Sequence, residues 1–76
     1  MQIVVIDREP VELYKILKFA GFAQSGAHAK IMIENGEVLV NGMPEDRKRR
    51  KMLHGDQLLI GDIAVQLQLE GVEQAS

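Results

Sequence analysis

Residues 25–42 read Ser25-Gly26-Ala27-His28-Ala29-Lys30-Ile31-Met32-Ile33-Glu34-Asn35-Gly36-Glu37-Val38-Leu39-Val40-Asn41-Gly42. This stretch holds a helix start, a helix stop, a strand and a hairpin turn. Ser25 is a good N-cap, because its hydroxyl accepts a bond from a free amide of the first helical turn. Ala29, Met32 and Ile33 recur at helical spacing and form an apolar stripe. Gly36 then ends the helix, since glycine takes the left-handed conformation there without a steric penalty. Val38-Leu39-Val40 has strand character and leads into Asn41-Gly42, the strongest short hairpin signal.

Upstream, a second helix precedes this one. Leu13, Ile16, Leu17 and Ala20 share one helical face over residues 11–20, with Glu12, Lys15 and Lys18 on the other side. Pro10 suits the opening of that helix, and Gly21 is its natural stop. A linker of about four residues joins the two helices into a helix-turn-helix unit. Residues 2–6, rich in Ile and Val, read as a first strand.

Downstream, residues 43–53 carry Pro44 and a run of basic residues, and read as an extended loop. His54-Gly55-Asp56 reads as a turn, residues 57–60 as a strand, and Gly61-Asp62 as another turn. In the last strand, Ile63, Val65, Leu67 and Leu69 alternate with Ala64, Gln66, Gln68 and Glu70, the pattern of a half-buried strand. The expected organisation is a single domain over residues 1–70, with a frayed tail at 71–76.

The bulk numbers agree with a small α+β domain. At 76 residues with 46% apolar content, a chain of this size buries roughly 60% of its unfolded surface. It has no cysteine and two histidines, His28 and His54, so a disulfide framework or a zinc site is not expected. The apolar start at residues 1–6 is too short for a signal peptide and lacks a basic leader. The longest apolar runs fall far below the roughly 18–20 residues that cross a bilayer. A cytoplasmic monomer that does not engage membranes is the expectation.

The net charge is −2, yet five of the nine basic residues are consecutive: Arg47, Lys48, Arg49, Arg50 and Lys51. Exposed charges are screened over about 8 Å at physiological salt, so a phosphate at this run senses it before more distant acids. Guanidinium groups match phosphate oxygens with paired donors, and lysine adds a mobile point charge. The run alone favours RNA or DNA, with a solvated loop next and an acidic protein or lipid surface behind. A second candidate is the start of the second helix at Ser25, Gly26 and His28, where free amides favour phosphate. Lys15, Lys18 and Lys30 complete a possible basic face.

Tyr14, Phe19 and Phe22 read as core or near-core, and His54 as a turn residue. No aromatic interleaves with the basic run, which argues against stacking on single strands. Nothing in the sequence supports catalysis: no cysteine nucleophile, no metal-spaced histidines and no glycine-rich phosphate loop. No cofactor is expected.

Taken in order, Leu13, Leu17, Gly21, Ser25, Ala29-Lys30, Ile33, Gly36, Val38, Val40-Asn41-Gly42 and Gly55-Asp56 resemble the RNA-binding domain first named from ribosomal small-subunit protein four, the αL motif. Gln24-Ser25-Gly26, Ala29-Lys30 and Arg47-Lys48-Arg49 resemble its small stand-alone YbcJ-type members in particular. The resemblance implies two packed helices against a small, bent, mostly antiparallel sheet. It also implies non-enzymatic binding of structured RNA, ribosomal or transfer RNA among the candidates. The implied face comprises Lys15, Ser25, Gly26, Lys30, Asn41 and residues 47–51. Two positions depart from the pattern: Glu12 and Gly26 stand where many members carry arginine, which shifts binding toward the basic loop. Neutralising residues 47–51 is then expected to abolish most binding and leave the fold intact. The alternative is an adaptor whose basic loop meets an acidic protein. Met1-Gln2-Ile3, Val40-Asn41-Gly42 and Gly55-Asp56-Gln57-Leu58 also resemble ubiquitin-like sulfur carriers, but the sequence has no diglycine and spends residues 25–35 on a second helix.

Overall fold

Branched side chains at Ile3, Val4, Val5 and Ile6 extend the chain into β1 (Gln2–Ile6). The computed structural model, which describes residues 1–72, continues through β2 (Val11–Glu12), α1 (Leu13–Phe19), α2 (Gly26–Glu34) and β3 (Val38–Val40). After these come β4 (Met43–Pro44), β5 (Lys51–Met52), β6 (Gln57–Ile60) and β7 (Ile63–Leu69). A five-stranded sheet runs in the order β1-β7-β6-β3-β4, and β2 pairs with β5 in a separate two-stranded sheet. Among the described residues only β1 and β7 pair in parallel, with Val4 opposite Leu67 and Ile6 opposite Leu69. The remaining pairs are antiparallel. The expected α+β architecture, two helices on a small and mostly antiparallel sheet, is the one observed.

Both helices end as the glycines predict. Gly21 (φ +87°) lets the amide of Phe22 donate to the carbonyl of Leu17, while its own amide donates to that of Lys18. Gly36 (φ +75°) closes α2 in the same way, with Glu37 N–H donating to Met32 O and Gly36 N–H to Ile33 O. These paired bonds satisfy carbonyls that a helix end leaves open. The core lies between the helix pair and one face of the sheet. Leu13, Ile16 and Leu17 of α1, and Ala29 and Ile33 of α2, are fully buried against Val38, Val65 and Leu67 of the strands. Burying each such Leu, Ile or Val contributes about 1.5–3 kcal/mol.

The structure corrects four local expectations. The first helix starts at Leu13, not at Pro10, because Val11 and Glu12 pair with Met52 and Lys51. Residues 43–53 are not one extended loop. The Asn41-Gly42 turn, with both residues at positive φ, folds Met43-Pro44 back on Leu39 and Val40, and fully buried Met52 carries β5. Phe19 is 54% exposed rather than near-core, and Ile63 is 42% exposed at the overhanging start of β7. Of the tail expected at 71–76, residues 73–76 lie outside the described residues. Val72 is tied down, its N–H donating to Leu69 O and its carbonyl accepting from Gln68 Nε2.

Candidate nucleic-acid interface

The basic loop is held by its own backbone to the start of α1. Glu12, at the N-cap, makes no side-chain cap. Carbonyls of the loop take the open amides instead: Leu13 N–H donates to Arg50 O at 2.9 Å and Tyr14 N–H to Lys48 O at 3.1 Å. A turn closed by Arg50 N–H to Arg47 O (3.2 Å) shapes the loop between them. The main chain of the basic run is therefore fixed against the start of α1.

Their acidic partners sort these cations into two kinds. Glu45 is buried, with 5% of its surface exposed. Its carboxylate accepts from Arg47 N–H, Arg47 Nε and Arg47 Nη2, each at 3.0 Å, and from Arg50 Nη1 at 2.7 Å. The Arg47 and Arg50 guanidinium groups hold its pKa down to about 2. Breaking such a pair from one side strands a buried charge, which is strongly destabilising. Arg47 and Arg50 thus brace the loop, so neutralising all of residues 47–51 would perturb the fold, contrary to the expectation from sequence.

The other pairs are looser. Lys48 meets Glu34 of α2, and Glu12 is shared by Lys15 at 3.2 Å and Arg49 at 3.1 Å. These two cations, Lys15 first, hold the Glu12 carboxyl below its ordinary range. Exposed pairs contribute only about 0.2–1 kcal/mol, so an arriving phosphate exchanges for them readily. Lys51 and Lys30 make no ion pair among the described residues. Arg47, Arg49, Arg50 and Lys51 line an open depression of about 620 Å³.

A second convergence was not visible in the sequence. The half-buried ring of Tyr14 lies under three cations from three elements. Lys30 Nζ of α2 is 4.7 Å from its centroid, Arg49 Cζ of the loop 5.3 Å, and Lys15 Nζ of α1 5.9 Å. Pairing of β2 with β5 brings residue 49 beside residue 14, so an aromatic does sit among the basic residues in space. Gly26 borders the same ring: a Cβ there would stand 3.6 Å from Tyr14 Cε2. Glu12, one of the two departures from the family pattern, links Lys15 to Arg49 across the patch.

The remaining predicted residues have local tasks. Ser25 Oγ caps α2 by accepting from His28 N–H at 3.0 Å. Exposed His28 accepts from Gln24 N–H through Nδ1, which leaves Nε2–H as an outward donor. Asn41 lies elsewhere: its side chain donates to Asp56 Oδ1 and accepts from Gln57 N–H, fastening the β3–β4 turn to β6. The structure thus gathers Lys15, Gly26, Lys30, Lys48, Arg49 and their loop neighbours, while the side-chain hydrogen bonds of Asn41 among the described residues go to Asp56 and Gln57 instead. A sequence signal existed for Glu45, an acid two residues before Arg47. Tyr14 had none, because its neighbours come from distant segments.

This geometry agrees with what the chain is similar to. A model of the S4 domain matches residues 4–68. The Escherichia coli (strain K12) protein named "Putative RNA-binding protein YbcJ" is 44% identical over 57 residues, spanning 75% of this chain and 81% of that protein. The Bacillus subtilis (strain 168) protein named "Probable ribosome maturation protein RlbA" is 43% identical over 53 residues, spanning 70% and 75% respectively. A solution structure of E. coli YbcJ, described as revealing an αL motif involved in RNA binding, superposes with a TM-score of 0.68 at 39% identity. That match covers 90% of this chain and 87% of the other.

Proposed function

The chain belongs to the S4 domain family, and from that premise we propose that it binds structured RNA, mainly through phosphates and by binding alone. The observation that carries this reading is the convergence of Lys15, Lys30 and Arg49 from three elements beside the depression lined by Arg47, Arg49, Arg50 and Lys51. A charge run that served only solubility would have no reason to meet lysines from both helices. The overall charge of −2 does not oppose this, because the patch acts within about 8 Å.

In this reading Lys48, Arg49 and Lys51 exchange their partners or water for phosphate oxygens. Arg47 and Arg50 hold the loop through Glu45, and Arg47 still presents its outward N–H groups. Ser25, Gly26 and His28 fix register at the start of α2, where open amides favour an anion. Phosphate contacts position a protein without reading sequence, so selectivity comes from RNA shape. Ribosomal RNA is the proposed target, in keeping with the name of the B. subtilis relative, and the protein acts as a monomer in the cytoplasm.

The test is binding to a structured ribosomal RNA fragment and to matched duplex DNA at 50 and 200 mM salt. With three to five phosphates neutralised, affinity for the RNA falls roughly 40- to 500-fold between the two conditions. Equal affinity for duplex DNA, or binding indifferent to salt, would overturn the proposal. Absence of RNA binding at low salt combined with capture of an acidic protein would favour an adaptor.

A further inference from the structure

Phosphate binding uses the three cations around Tyr14 but gives the ring itself no task. A ring that only filled the core would be fully buried, yet Tyr14 is only partly buried, packing on the core from one side. Its border at Gly26 carries no side chain, and a longer residue there would run along the ring. Lys30 has no carboxylate partner among the described residues, and its ammonium rests over the ring at 4.7 Å. A cation over a partly exposed ring is held weakly, whereas a phosphate offers it a full opposite charge. An arriving polynucleotide therefore draws Lys30, Arg49 and Lys15 outward and uncovers an aromatic face at the centre of the patch.

We infer that Tyr14 is a stacking platform for one unpaired nucleobase, with Lys15, Lys30 and Arg49 moving from the ring to the phosphates that flank that base. This deepens the RNA-binding reading and rests on it. The RNA recognised must then carry an unstacked nucleotide, in a loop, bulge or end, at the point of contact. Every base has a π face, so the platform selects for an unpaired position rather than for base identity.

The protein contains its own reporter. Tyr14 is its one tyrosine and it has no tryptophan, so intrinsic emission of the full chain reads this ring alone. The chain is titrated at low salt with an RNA hairpin bearing an unpaired loop, a fully paired RNA duplex with the same number of phosphates, and inorganic polyphosphate. Calorimetry follows binding independently. Stacking predicts quenching with the hairpin and little with the other two, even where they bind. In parallel, Tyr14→Leu should lose roughly 5- to 150-fold of hairpin affinity and keep its duplex affinity, while Tyr14→Phe keeps both. Hairpin binding without quenching overturns the platform and leaves the RNA-binding reading standing. Equal quenching by polyphosphate overturns it too, since cation departure alone would then explain the signal. No binding to either RNA overturns both.

Discussion

Replacing Glu45 by glutamine probes the brace beneath the basic loop. The change keeps the shape of the side chain and removes the charge that Arg47 and Arg50 share. Holding the carboxyl at about 2 rather than its ordinary 4.5 corresponds to an upper bound of about 3 kcal/mol at neutral pH. The side chain of Arg47 is 70% exposed and that of Arg50 30%. Water therefore screens the pair from outside, and about 2 kcal/mol is the working figure. For a domain of this size that lowers Tm by roughly 8–16 °C. The pH dependence is specific because the folded pKa lies below the unfolded one. Stabilisation by Glu45 is fully present above 4.5 and is lost as pH falls through about 2. The gap between the native protein and Glu45→Gln, measured by urea unfolding, stays constant from pH 8 to 6. It narrows below that, with about half or more gone by pH 3. A variant within about 0.5 kcal/mol of the native protein at pH 7, the range of an ordinary surface change, would refute the brace, as would a gap that persists undiminished at pH 3.

Further expectations follow from the same geometry. Ser25→Ala removes the acceptor for His28 N–H and should destabilise by about 1 kcal/mol in urea unfolding. Gly26→Ala places a Cβ at ordinary contact distance from Tyr14 in a helical residue, so thermal melting should show a gain of about 0.5 kcal/mol. Lys51→Ala removes an exposed cation without an ion pair among the described residues. Its Tm should be unchanged, while the slope of log affinity against log salt for RNA falls by about one.

The legible parts of this molecule are those fixed by neighbouring residues. Ser25, Gly36 and Asn41-Gly42 act within a turn or two of themselves, and the helix and hairpin they imply are present. So is the family pattern spread over residues 13–56, which the S4 domain match confirms. The illegible parts are pairings between distant segments. Val11-Glu12 and Lys51-Met52 are too short to show any alternation, and each is a strand only because the other exists. That pairing sets the true start of α1 and brings Arg49 to Tyr14, so missing it hid the aromatic in the patch. The charges of residues 47–51 were plain, but which were free and which were committed depended on Glu12, Glu34 and Glu45. Side-chain partners of this kind are a property of the folded surface.

The parallel pairing of β1 with β7 also bears on how the molecule is made. During synthesis β1 leaves the ribosome before the other described strands, and its hydrogen-bonding partner β7 follows only after β2 to β6. Until then Val4 and Ile6 have no neighbouring strand, although α1, α2 and the β3–β4 hairpin are built from contacts close in sequence and form quickly. A nascent chain halted near Gly61 would hold both helices yet leave the opening strand as an unpaired apolar edge, open to wrong association. Arrival of β7 is thus the step that seals the sheet.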